Sequence, residues 1–582
     1  MRKSAVRAIP FLLIIVMIAV AVIPASAGPR FTEKAIPLGI HKSDEQVFAG
    51  SVQLSDDRQH ITYVSKNHDG KVRVWIDGIT GVSYEGASTP RFVPGTDKVA
   101  YIAADNGKMF TIINGKKGPE HARADGLTFS PDGSRFGYRA QNNDGKVFAV
   151  VDGKPGPLFV NVLPDPGILF SPDGRHAIYT GVNEAGSQVL VKNHEPVRAF
   201  DEIKEVTFSP DSRPLAYAGR SGQDWSVIHN DTENDPYDNI NGILFSSDSN
   251  HLAYMAEKGK RVVVIKDGKE QFSGETAGVP FFSPDGTRFG FLMKKGKGWH
   301  LMMDGKKGPL IARPDKVVFS EDSRHFAYSA LIDTTWAVIK DSEIVDKSLQ
   351  RIRFLTFLPD SPSLLYIAVP QTGKEYMMVN GQKYSSFDSI GLPVFPHGQD
   401  TIAHVAQDGK DMFFVVGEKK EGHYRTIGIP RTQADGSVAM TSQFPFFSPD
   451  GARVAYPAID HDNRVFMVVD GKSHEYYEAI TEPVFSPDGR HMAYTAQKNG
   501  KWLAVVDGIE GEKRFDGILK DSHILFDTPS SFFVLAINLP GPSFYKLAVT
   551  IESEAILDSR CEGDCFVAFA PRNDVKTLCF RQ

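Results

Sequence analysis

From Leu54 onward, short apolar runs alternate with polar turns in a phrase that returns at most steps after 37 or 38 residues. Its leading position is Leu54, then Phe92, Phe129, Phe170, Phe208, Phe245, Phe282, Phe319, Phe357, Phe395, Phe447, Phe485 and Phe526, with Phe569 opening a shortened last copy. Nine residues further on stands an aromatic: Tyr63, Tyr101, Tyr138, Tyr179, Tyr217, Tyr254, Phe291, Tyr328, Tyr366, Tyr456 and Tyr494. Three steps stretch to between 41 and 43 residues, and the step from Phe395 to Phe447 is 52. A unit of about 38 residues built of short strands and tight turns is the signature of one propeller blade.

The copy around Phe485 shows how each unit folds. Glu482 to Phe485 is a short strand entering the turn Ser486-Pro487-Asp488-Gly489. There proline pre-sets φ, aspartate bonds the backbone ahead of it, and glycine takes the left-handed position. Arg490 to Thr495 alternates polar and apolar residues, as a half-buried strand does. Lys498-Asn499-Gly500-Lys501 is an Asn-Gly hairpin, Trp502 to Val506 a third strand, and Asp507-Gly508 turns into a fourth near Glu512 to Phe515. Trp225, Trp299, Trp336 and Trp502 share one register, five residues before the second turn, and are expected to start third strands and pack between blades.

The fold class expected is therefore all-β, with about 13 to 14 four-stranded blades. One propeller ordinarily holds about four to eight, so two tandem rings are expected. Seven plus seven is the simplest split, with domains at 28–310 and 311–582; six plus eight is the other. The final copy, Cys565 to Phe580, supplies only two strands, and residues between Arg30 and Val52 are expected to complete it, since an unpaired edge invites aggregation. The repeat resembles the TolB-type, WD40-like propeller repeat, marked by the same aromatic-Ser-Pro-Asp-Gly turn and following apolar strand, over roughly residues 50 to 582. TolB itself carries an α/β domain ahead of its propeller, for which no room is left before Leu54. The resemblance implies the propeller fold and a group that includes envelope proteins that bind partners; it names no activity.

At the N-terminus Arg2, Lys3 and Arg7 precede an apolar stretch from Ala8 to Pro24 and then Ala25-Ser26-Ala27. That is the pattern of a secretory signal cleaved after Ala27, giving a periplasmic or extracellular protein with no stable membrane span. Without residues 1–27 the chain has 62 Lys and Arg against 71 Asp and Glu, a net charge of −9. Such a surface argues against nucleic acid, which wants a basic footprint. The three cysteines, Cys561, Cys565 and Cys579, leave room for a disulfide of either of the first two with the third.

Motifs of chemistry are scarce. There is no Gly-x-Ser-x-Gly, no Gly-Lys-Ser/Thr phosphate loop and no His-Glu-x-x-His, and no cofactor or metal is implied. His404 fills the Tyr slot of its unit, His461 lies in a turn, and the carboxylates of Asn230 to Asp238 lack the alternating spacing of a calcium loop. The clearest positional clue is an insertion from Ile429 to Gln443, whose Arg431, Gln433, Asp435 and Met440 are candidate contacts for a protein or peptide partner. The function expected is that of a non-catalytic binding or scaffold protein in the cell envelope. The alternatives are a channel hydrolase of glycans or lactones using paired carboxylates, and a cell-wall carbohydrate binder using exposed tryptophans.

Overall fold

The computed structural model describes residues 30–552 apart from 40–44, 398–400, 433–437, 441–444, 520–521 and 540–542. Among these residues the chain is strand and turn throughout, its only helix being a 3-10 turn at Ala49–Ser51. Each leading residue from Leu54 to Phe526 opens one blade of antiparallel strands, and each blade is named below by that residue.

In the Phe485 blade the first strand is Ala479–Ile480 and Val484–Phe485, the second Met492–Lys498, the third Lys501–Val506 and the fourth Ile509–Glu510. The Ser486 hydroxyl donates to Asp488 Oδ1 (2.7 Å) and accepts the His491 N–H (3.0 Å), while Asp488 accepts the Arg490 N–H (3.2 Å). The phrase Ser-Pro-Asp-Gly is thus a self-bonded corner joining first and second strands. Asp507 and Gly508 both have positive φ (48° and 86°), the twist of a two-residue hairpin turn. The fourth strand therefore starts at once, at Ile509, earlier than the expected Glu512. Phe515 instead rejoins the third strand as an isolated bridge to Trp502.

Blades pack through the second and third strands. Seven tyrosines of the recurrent slot, Tyr63, Tyr138, Tyr179, Tyr254, Tyr328, Tyr456 and Tyr494, are fully buried, and burying a large side chain is worth roughly 1.5–3 kcal/mol. Each apolar cluster joins two consecutive blades: Met467 and Tyr477 meet Tyr494 and Leu503, and Ala493 and Val506 meet Phe532 and Val534. First strands of neighbours approach one another, as Glu202–Phe208 does Asn239–Phe245. Fourth strands such as Glu195–Phe200 are exposed. The first strand accordingly lines the inside and the fourth the outside.

The expected division at residue 310 has no counterpart in this packing. Leu301, Met303 and Ile311 share one core with Phe326 and Tyr328 across it. A single 15-residue strand, Glu343–Phe357, then serves as fourth strand of the Phe319 blade and first of the next, merging both into a seven-stranded sheet. Closure occurs between the two ends of the described chain. Phe31–Gly39 pairs antiparallel with Ser543–Ile551 as fourth strand of the Phe526 blade, and Leu38, Leu535 and Phe544 pack with Ile61 and Tyr63 of the Leu54 blade. The N-terminal segment does complete a blade, as expected, but the one led by Phe526; the copy at Phe569 lies outside the described residues. Glu33 fastens this strap sideways as well, its carboxylate accepting the N–H groups of Glu512 (2.6 Å) and Lys513 (2.8 Å) in the Phe485 blade.

Candidate functional site

First strands come in two kinds. In the Phe129, Phe208, Phe245, Phe319 and Phe357 blades they run unbroken, and all five carry a register shift. In three of them the residue three before the leading aromatic has positive φ: Gly126 (68°), Glu205 (52°) and Gly242 (68°). This is a bulge with one residue in the left-handed region. Elsewhere the first strand is cut to two-residue pieces. Pro90, Pro280, Pro393, Pro445 and Pro483 each stand two residues before a leading aromatic, and a residue preceding proline is driven to extended φ/ψ. The bulge is then forbidden and pairing breaks. In several broken strands a hydroxyl takes over as acceptor for the second strand: Ser51 for Val64 N–H, Ser88 for Ile102, Thr481 for Thr495 and Ser522 for Leu535, at 2.8–3.0 Å.

Broken strands occupy six consecutive blades, from Phe395 through the closure to Phe92, and this sector holds the two largest cavities described here. One, of about 400 Å³, is lined by Phe446, Phe447, Pro449, Pro483, Val484 and Phe485, with Glu482 and His523 as its polar groups. The other, of about 710 Å³, lies at the closure, between Val47–Arg58 on one side and Leu519, Ile537 and Phe544 on the other. The first strand of the Phe526 blade stands between them and contributes His523 to one and Leu519 to the other.

The insertion expected as a loop between blades is rooted elsewhere. Thr426–Ile427 and Phe446–Phe447 both pair with the strand Val454–Ile459, so the inserted residues leave and re-enter in the middle of a first strand. They form a hairpin, Pro430–Thr432 with Val438–Met440, on the inner side of the blade and next to the smaller cavity. Arg431 pairs with Ala439 and Met440 with Pro430; Gln433 and Asp435 lie outside the described residues, as do Cys561, Cys565, Cys579 and residues 1–27. The spacing of the repeat located the insertion, but not that it interrupts a strand.

His404 is buried with its Nδ1 unpartnered, and burial lowers its pKa to about 4, so it is a neutral substitute for tyrosine. His461 Nε2 bonds Asp411 at 2.9 Å across two blades. In the Asn230–Asp238 segment Glu233 pairs with Arg198 and Asp238 accepts the Gly259 N–H. Trp225 is buried, and Trp299, Trp336 and Trp502 are half-buried, so none offers the exposed platform a sugar needs. All shifted carboxylates move down. Those of the corners, such as Asp450 beside the small cavity, are held there first by their own serine hydroxyl and then by backbone N–H groups. A general acid needs the opposite shift. Among the described residues no three His, Cys, Asp or Glu side chains converge as a metal site, and no helix is long and apolar enough to cross a membrane.

Four-stranded antiparallel blades, packed in succession and closed by the N-terminal strand, define a β-propeller protein. Solved structures similar to the chain include a eukaryotic initiation factor (12% identity over 66% of this chain and 96% of that one, TM-score 0.27). They also include the β-propeller domain of the Trilobed protease from Pyrococcus furiosus (12%, 51% and 93%, 0.22) and a putative TolB from Agrobacterium tumefaciens (15%, 33% and 83%, 0.20). No protein-family model and no curated protein matches. At such TM-scores these likenesses assign neither a partner nor a reaction.

Proposed function

We propose that this is an exported propeller protein that binds a protein or peptide partner on the inner wall of the sector with broken first strands. The observation that carries this reading is the hairpin grown out of the middle of a first strand beside an apolar cavity. A hairpin costs ordering entropy, and here it projects from the wall that faces the inside rather than from a solvent-facing connection. Export is supported by the basic, apolar and Ala-Ser-Ala sequence of residues 2–27. The test is in-cell photocrosslinking from position 446, beside the hairpin root, against position 197 on an exposed fourth strand. One abundant adduct from 446 that disappears when 429–443 is shortened is the expected result. Equal labelling from both positions, or turnover of a substrate abolished by point changes in this sector, overturns the reading.

A further inference from the structure

The larger cavity has the form of a groove rather than a pocket. One wall is the extended stretch from Val47 to Leu54, interrupted only by the 3-10 turn, and the other is built from the Phe526 blade. Its lining is aliphatic and aromatic along most of its length. Next to Val47 and Ile537 in sequence, Phe48 and Leu539 remain 38% and 61% exposed, large apolar side chains at a margin that nothing in the chain covers. Gly50 faces open space, since a Cβ placed there meets no atom within 4 Å.

The opposite end of the groove, at the corner after Leu54, is acidic. Asp56 lines it and Asp57 stands beside it, against the single cation Arg58. Partial burial works against the Asp57 charge. Even so, the Ser55 hydroxyl and the Gln59 N–H hold its carboxyl below the usual range. An extended chain presents alternate side chains to one face, which matches a groove walled on one side by a strand, and an acidic end calls for a cation there.

We propose that the closure groove seats an extended peptide segment with apolar side chains at alternate positions and a lysine or arginine at one end. This deepens the binding role given above and rests on it. The probe is a fluorescein-labelled octapeptide alternating valine and threonine and ending in two lysines, titrated by anisotropy into the full mature chain, residues 28–582. Saturable binding is expected. It should weaken at least tenfold in Gly50→Trp, which fills the open space, and at least several-fold in Asp56→Lys, a surface change that spares the fold. Replacing the peptide lysines by glutamates should have the same effect as Asp56→Lys, and shortening 429–443 should leave binding intact. No saturable binding, or binding indifferent to both substitutions, overturns the groove assignment. A partner still captured from position 446 would then leave the broader binding role standing, and failure there as well would remove both.

Discussion

The blades led by Phe245 and Phe485 have the same corners, the same buried tyrosine slot and nearly the same length, yet they present opposite inner walls. In the first, Gly242 turns left-handed, the strand bulges without breaking, and the Ile243 N–H reaches the Glu205 carboxylate of the preceding blade at 2.8 Å. In the second, Pro483 stands where Ile243 does, the strand breaks, Thr481 supplies the missing acceptor, and a cavity opens. One residue per repeat decides whether a blade seals the wall or opens it. The unbroken blades carry charges inward, such as Arg313, Lys316 and Arg351, all exposed. The broken ones carry Phe446, Val484 and Leu519.

The comparison breaks most completely if the strap is dispensable. Deleting residues 30–39 should cost more than about 5 kcal/mol, a large share of ordinary domain stability, and abolish a single cooperative transition in urea. A variant that still unfolds cooperatively at the wild-type midpoint would show that the broken sector does not depend on closure.

Next in size is the swap of the deciding residue. Ile243→Pro forces Gly242 out of its left-handed conformation and deletes the bond to Glu205, and should cost about 3 kcal/mol or more. Pro483→Val should cost less than about 1 kcal/mol, because no bulge there is lost. Thermal denaturation of the pair tests the rule, and equal losses would refute it.

His404 sharpens the comparison through pH. Its buried ring titrates near 4 instead of the usual 6.5, so the unfolded chain binds the proton first. Stability should be fully present above pH 6.5 and fall by about 3 kcal/mol as pH drops towards 4. His404→Tyr should flatten that slope in urea titrations at pH 7 and 4.5, and an unchanged slope would mean that other groups set it. The smallest effect is expected from Thr481→Val, about 1–2 kcal/mol, from leaving the Thr495 N–H without its acceptor. The same change at Thr207, where the strand is continuous and the hydroxyl bonds only the neighbouring Phe208 carbonyl, should be nearly silent.

Much of this architecture is legible in the amino-acid order. The leading aromatic, the Ser-Pro-Asp-Gly corner and the tyrosine nine residues on act within one blade or between neighbours, so each leaves a local mark. The place of His404 and the inward packing of Trp225 follow from that register alone. The cycle of blades was not legible, because the core joining Met303 to Phe326 resembles every other inter-blade core, and nothing local distinguishes a ring that closes after seven blades from one that continues. Closure by Phe31–Gly39 is a contact across the whole chain, set by which edges remain unpaired. Pro483 and its counterparts stood in plain view, but their meaning depends on φ at the preceding position, which sequence spacing does not display. The candidate contacts Arg431 and Met440 were placed correctly on an insertion and wrongly on a connection.

The strap has a further consequence for how such a chain is made. Phe31 must wait for Ile551 before its blade exists, so the first strand to be synthesised is among the last to find its place. For a polypeptide threaded through a membrane N-terminus first, that arrangement works as a timer. Until the distal strands have crossed, no closed structure resists the passage, and the molecule becomes rigid only once its delivery is complete.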